Sequence, residues 1–183
     1  MHTSEFQNIT LNAAGNRIFL IGFMGTGKTH WGKIWANRHR YHFLDLDEAI
    51  EKEEQSTIAE IFEKRGEDYF RQKEAIMLRT MDQYSNTVIS CGGGAPCFFD
   101  NINWMNMHGS TILLKASPIF ILNNILSQQG KRPLVNKFNE SELLFYIEQK
   151  LKERNEYYEK ANIILDAENI NEHTLDNIIS PIE

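Results

Sequence analysis

The chain has 183 residues, 42% of them hydrophobic and 24% charged, enough to bury one core and too few for two ordinary domains. That balance excludes a disordered chain, and no apolar run approaches the roughly 20 residues a membrane helix needs. A formal net charge of −6 argues against nucleic acid as a main partner, so an anionic ligand must find its positive charge concentrated locally.

Residues 1–16 are polar and carry Glu5; they read as a short N-terminal extension and not as a secretory signal. Residues 17–21, Arg-Ile-Phe-Leu-Ile, read as a buried strand. The next eight, Gly22-Phe23-Met24-Gly25-Thr26-Gly27-Lys28-Thr29, have the pattern G-x-x-x-x-G-K-T between a strand and a helix. Glycines let the backbone wrap a phosphate with its N–H groups pointing inward, and the following helix turns its positive dipole end toward the same charge. Gly22, Gly25, Thr26 and Gly27 thus read as a phosphate cradle. Lys28 is placed to reach the β- and γ-phosphates and Thr29 to offer a hydroxyl to Mg²⁺. The ending in Lys-Thr favours a nucleoside triphosphate over a dinucleotide. In the helix that follows, Trp31 and Trp35 stand four residues apart and read as core packing; His30 points to no ligand role.

A second buried strand is expected over residues 41–44, closing on Phe43-Leu44-Asp45-Leu46-Asp47. If the backbone stays extended, the two carboxylates share one side at the carboxyl end of the sheet, beside the phosphate loop. One of them could hold Mg²⁺ through water and the other orient a substrate hydroxyl; the plain alternative is that Asp47 caps a helix beginning at Glu48. Thr57 with Glu60 fits a capping box. In the helix it opens, Arg71 and Glu74 form an ordinary i, i+3 pair. Residues 87–90 read as the third strand, followed by Gly92-Gly93-Gly94-Ala95-Pro96. Three glycines at a strand's carboxyl end permit close approach to a ligand. Cys91 and Cys97 read as reduced thiols of a cytosolic protein, or at most one incidental pair.

Residues 111–114 read as the fourth strand, and Ser117-Pro118 as an N-cap followed by proline at the first helical position. Residues 128–139 form an irregular stretch of a length often found in lids; it contains Arg132, which could clamp a transferring phosphoryl group. Asn139 with Glu142 fits a second capping box and opens a helix carrying Arg154. The last strand is expected at residues 163–165. Taken singly, Arg71, Arg132 and Arg154 are each expected on the surface, where most charged side chains lie. Alternating strands and helices imply a parallel sheet with helices on both faces, and ligands beyond the carboxyl ends of its strands.

These motifs, in this order over residues 17–166, resemble the shikimate kinase family. The resemblance implies a P-loop NTPase-type α/β fold of three layers with a five-stranded parallel sheet, like that of nucleoside-monophosphate kinases. A lid at about residues 128–139 and a substrate-binding helical region complete this single domain. It also implies transfer of the ATP γ-phosphoryl to the 3-hydroxyl of shikimate, with Mg²⁺ as cofactor, in a cytoplasmic monomer of aromatic precursor synthesis. By the same resemblance Asp45 is the Mg²⁺-associated aspartate, with Thr29, and Asp47 contacts the shikimate hydroxyls. Phe62, Phe70 and Arg71 belong to the shikimate-binding segment, Gly92, Gly93 and Gly94 contact substrate, Arg132 binds phosphate from the lid, and Arg154 is the second carboxylate-binding arginine. Asn124 stands where the family commonly has an adenine-stacking arginine, so that stacking is weaker or supplied elsewhere. Two other readings stay open on the residues alone: a kinase for another acid such as gluconate, and a nucleotide-binding module without catalysis.

Overall fold

A computed structural model of the chain describes residues 16–127, 138–176 and 178. The N-terminal extension up to residue 15, most of the expected lid and Arg132 lie outside the described residues.

Five strands form one parallel sheet in the order β2-β3-β1-β4-β5. They are β1 (Arg17–Ile21), β2 (His42–Asp45), β3 (Thr87–Ser90), β4 (Ser110–Lys115) and β5 (Ile163–Asp166). The helices are α1 (Lys28–Arg38), α2 (Leu46–Glu54), α3 (Ile58–Thr80), α4 (Asn101–His108), α5 (Pro118–Ser127) and α6 (Glu140–Tyr158). The central strand β1 is buried along its whole length, which explains its unbroken apolar run: helices cover both faces, so neither side can be polar. Successive residues feed opposite layers, as the two-residue period requires. Phe19 and Ile21 pack with Leu46, Ile61, Phe70 and Leu78 on one side. Ile18 and Leu20 pack with Trp35, Val88 and Ile112 on the other.

The edge strands depart from the expectation of burial. β2 begins one residue later than expected and is exposed or half-buried throughout, and β5 alternates buried and exposed positions, leaving Ile164 in solvent. Each lies at the end of the sheet, where one side of the ladder has no neighbour. Tyr41, expected in β2, instead precedes it as a buried residue whose N–H donates to the Ala36 carbonyl at 2.8 Å.

Both capping boxes form, at Thr57 with Glu60 and at Asn139 with Glu142. Ser117 Oγ accepts the Phe120 N–H at 3.2 Å, opening α5. Trp35 is fully buried and stacks on Trp31 at 5.8 Å between ring centroids; its indole N–H donates to the Asn171 carbonyl at 2.9 Å. α3 breaks its helical geometry at Gly66, where φ is 81° and ψ 171°; only glycine takes that conformation without strain. The kink divides the helix ahead of Phe70, Arg71 and Glu74. Among the described residues no helix is long and apolar enough to cross a membrane.

Between α4 and β4 the chain passes hard against β1. A Cβ on Gly109 would lie 2.6 Å from the Arg17 carbonyl oxygen and 2.9 Å from the Phe19 ring. Backbone in a central strand cannot yield cheaply, so Gly109→Ala is expected to destabilise the fold by about 1–3 kcal/mol, measured as a lower urea midpoint at unchanged slope.

Candidate active site

The carboxyl ends of β1, β2 and β3 adjoin, and the three sequence signals meet there. From β1 the chain enters the glycine loop, and Gly27, at φ 89°, turns it into α1. Thr26 is buried and its hydroxyl donates to the Phe23 carbonyl at 2.9 Å. Lys28 is also buried, with Nζ donating to the carbonyls of Gly22 at 2.8 Å and Phe23 at 2.9 Å. A compact ammonium thus sits inside the loop. On its far side Asn124 Nδ2 donates to the Gly25 carbonyl at 2.8 Å. The sequence offered no sign of that clamp, because the two residues are 99 positions apart.

Thr29 and Asp45 are brought together as expected. The Thr29 hydroxyl donates to Asp45 Oδ2 at 2.9 Å and lies 3.3 Å from Ser90 Oγ. Such hard oxygen donors suit Mg²⁺, which takes few protein ligands and keeps waters or phosphate oxygens for the rest. Thr29 and Asp45 thus offer two adjacent oxygen donors, and among the described residues no group of three or more His, Cys, Asp or Glu side chains could hold a metal ion.

The cap of α2 is Asp45, not Asp47. Asp45 Oδ1 accepts the N–H groups of Asp47 at 3.1 Å and Glu48 at 3.4 Å, and the helix starts at Leu46. The backbone therefore ceases to be extended after Asp45, and the two carboxylates do not line up as alternate strand residues. Asp45 turns to Thr29, while Asp47, in the first helical turn, points under the triple-glycine segment.

That segment organises the remaining charges, because each glycine faces a charged group from another element. A Cβ on Gly92 would lie 2.8 Å from Glu74 Oε1 and 2.9 Å from Asp47 Oδ1. One on Gly93 would lie 3.1 Å from Arg154 Nη1, and one on Gly94 2.6 Å from Arg71 Nη2. Any side chain here would displace the charged groups. Tyr158 of α6 fixes the segment from behind, its hydroxyl donating to the Gly93 carbonyl at 2.6 Å.

Arg71 is buried at 8% exposure, contrary to its expected surface position. Two carboxylates and a set of aromatic rings explain how the charge is tolerated there. Nε and Nη2 donate to Glu67 Oε1 at 3.1 and 3.0 Å, and Nη1 to Glu74 Oε2 at 2.8 Å. A guanidinium has five N–H donors; these bonds leave one on each terminal nitrogen, the number a carboxylate can take. Phe62 and Phe70 pack at 4.8 Å between centroids, and the Arg71 guanidinium carbon lies 5.9 and 5.1 Å from their rings. Arg154 is half-buried and lies over the Phe23 ring at 5.2 Å.

Asp47 Oδ1 and Glu74 Oε1 are buried without a hydrogen-bond partner among the described residues. Burial, and then the neighbouring charge of Asp45, pushes the Asp47 carboxyl up to about 6. Burial also pushes Glu74 up to about 7, against the opposing pull of Arg71. The i, i+3 spacing of Arg71 and Glu74 predicts their ion pair, which forms, but not the burial of Glu74. Because its proton is held more tightly folded than unfolded, Glu74 favours folding most fully below pH 4.5, and this contribution is lost as pH rises toward 7. The unfolding free energy of wild type minus that of Glu74→Gln is therefore expected to fall across that window and level off above it, as read from urea melts at several pH values.

Cys91 and Cys97 are both free thiols, the former buried. Burial raises both pKa values, that of Cys97 to about 11, so neither is a ready nucleophile.

The family model described as Shikimate kinase matches residues 24–183. A curated shikimate kinase of Bacteroides fragilis is 40% identical over 158 residues, covering 86% of this chain and 88% of the relative. The crystal structure of shikimate kinase from Bacteroides thetaiotaomicron superimposes with a TM-score of 0.82 at 39% identity, over 85% of this chain and 89% of that one. Shikimate kinase from Acinetobacter baumannii, solved in complex with shikimate, gives a TM-score of 0.75 at 30% identity, over 90% and 96% of the two chains.

Proposed function

The chain belongs to the shikimate kinase family, and from that premise we propose how its residues carry the ATP-dependent phosphorylation of shikimate. The observation that carries the reading is the triple-glycine segment, against which two arginines and two carboxylates are packed beside the phosphate loop. A cleft of that composition fits a small acid bearing hydroxyls.

In this reading the glycine loop and Lys28 hold the ATP phosphates. Thr29 and Asp45 would hold Mg²⁺, which supplies positive charge to the phosphate oxygens when bound. The two spare N–H groups of Arg71, with Arg154, take the acceptor's carboxylate, and Phe62, Phe70 and the glycines Gly92 to Gly94 flank its ring. Asp47 accepts a hydrogen bond from the 3-hydroxyl. That oxygen attacks the γ-phosphorus in line, the bond from phosphorus to the β–γ bridging oxygen breaks, and the hydroxyl proton passes to Asp47. The products are shikimate 3-phosphate and ADP. Reactions of this kind depend mainly on positioning and charge, which is what fixed donors in a buried site provide. Arg132, from the segment at residues 128–139, is proposed to neutralise charge on the transferring group. We take the enzyme to act as a cytoplasmic, single-domain monomer.

A coupled assay for ADP with shikimate and gluconate side by side tests the reading. Shikimate is expected to support turnover and gluconate not. Comparable kcat/KM for gluconate, or tight ATP binding with no turnover of either acid, would overturn it.

A further inference from the structure

One large ring near the site serves neither the core nor any role assigned so far. Phe98 follows the short 3-10 turn Ala95–Cys97 in extended conformation and remains 37% exposed. It does not join the hydrophobic clusters on either face of the sheet. Its neighbour is instead a charge, since the Arg71 guanidinium carbon lies 4.6 Å from its ring centroid, nearer than to Phe70 or Phe62.

The backbone that presents this ring is strained and firmly held. Phe99 and Asp100 have φ of 48° and 57°, a region that residues with side chains rarely enter and that persists only where the surroundings impose it. Those surroundings are present. Asn101, fully buried, donates from Nδ2 to the Ala95 carbonyl at 2.8 Å and from its backbone N–H to the Phe98 carbonyl at 2.9 Å. Arg79 of α3 binds Asn101 Oδ1 through Nη1 and donates from Nη2 to the Phe99 carbonyl at 3.0 Å. The same helix that carries Arg71 thus anchors the turn that lays Phe98 over it.

We propose that Phe98 is a positioning residue for the acceptor's carboxylate, its ring fixing the Arg71 guanidinium so that the two spare N–H donors stay aimed into the cleft. An aromatic face holds a guanidinium by its quadrupole and by stacking, and excludes water from that side. Without it Arg71 keeps Glu67 and Glu74 but gains freedom to turn its remaining donors to solvent. The inference rests on the reading of Arg71 as a carboxylate-binding group.

The test is steady-state kinetics of the full chain with Phe98→Ala, Phe98→Leu and Phe98→Tyr, and of Phe98→Ala combined with Arg71→Ala. Leucine keeps apolar bulk without a π face, so it separates packing from the interaction proposed. Alanine and leucine are each expected to raise KM for shikimate about three- to tenfold, with kcat within twofold and KM for ATP unchanged. Tyrosine is expected to restore KM, and Phe98→Ala to add nothing in the Arg71→Ala background. Unchanged KM with leucine, an equal rise in the Arg71→Ala background, or a parallel loss in kcat and ATP affinity would overturn the proposal. Absence of shikimate turnover in the wild type overturns the functional reading and this inference with it, whereas normal wild-type turnover with an unmoved variant KM overturns this inference alone.

Discussion

Replacing Asp47 with asparagine is expected to lower kcat for shikimate phosphorylation by about 10²- to 10⁴-fold, the usual weight of a positioned proton acceptor, while KM for shikimate changes only a few-fold. The substitution is nearly isosteric, so hydrogen bonding to the acceptor hydroxyl survives and the basic group is lost. The site is built to give this carboxyl an unusual proton affinity. Asp47 is buried beside Gly92, with Oδ1 unpaired among the described residues, and burial raises its pKa to about 6. A base of that strength ionises near neutral pH and still takes a proton readily. Removing a poorly solvated carboxylate from beside Glu74 also relieves repulsion, so the variant should melt no lower than wild type. Steady-state kinetics with saturating ATP decide the matter: a kcat within threefold of wild type, or a loss confined to KM, would assign the proton to another group.

Arg71→Ala should show the opposite pattern. Truncating one partner of a buried, hydrogen-bonded charge pair costs about 2–5 kcal/mol of binding, or roughly 30- to several-thousand-fold in KM for the acceptor. The fall in kcat is expected to be smaller, because no bond to phosphorus is made or broken at the carboxylate. Glu74, which loses its ion-pair partner, already titrates near pH 7 and can remain protonated, so the fold is expected to survive. Arg71→Lys keeps the charge without the planar fork and should recover only part of the loss. A kcat collapse at unchanged KM would place Arg71 at the phosphoryl group instead of the carboxylate.

The two variants separate the ends of one substrate, and the architecture explains why they can. Asp47 comes from α2 and Arg71 from α3 beyond the Gly66 kink. Both reach the same segment after β3, at Gly92 and Gly94 respectively. In the proposed reading the acceptor is held by two elements on either side of a turn that contributes backbone alone.

Residue order alone encodes the passage from strand through glycine loop to helix, the five strands to within one residue at every end, and both capping boxes. Those features are local. A glycine pattern, an apolar run or a Thr-x-x-Glu box acts through residues within a few positions of one another, so chain order encodes them directly. The three glycines could also be read as a place of close approach, since the lack of a Cβ is a property of each residue taken alone.

The remaining features arise from contacts between elements distant in the chain. Which aspartate caps α2 depended on where the strand stops, and Asp45 took that role while also receiving Thr29. The burial of Arg71, the unpaired oxygens of Asp47 and Glu74, the clamp of Asn124 on Gly25 and the ring of Phe98 over the guanidinium are all contacts between separate elements. Burial and proton affinity belong to a surrounding that several segments create together, and no single stretch of chain carries them. β2 and β5 teach the same lesson from the other direction: their apolar residues gave no sign that they would lie at the sheet's edges, because strand order is fixed by packing among elements distant in sequence.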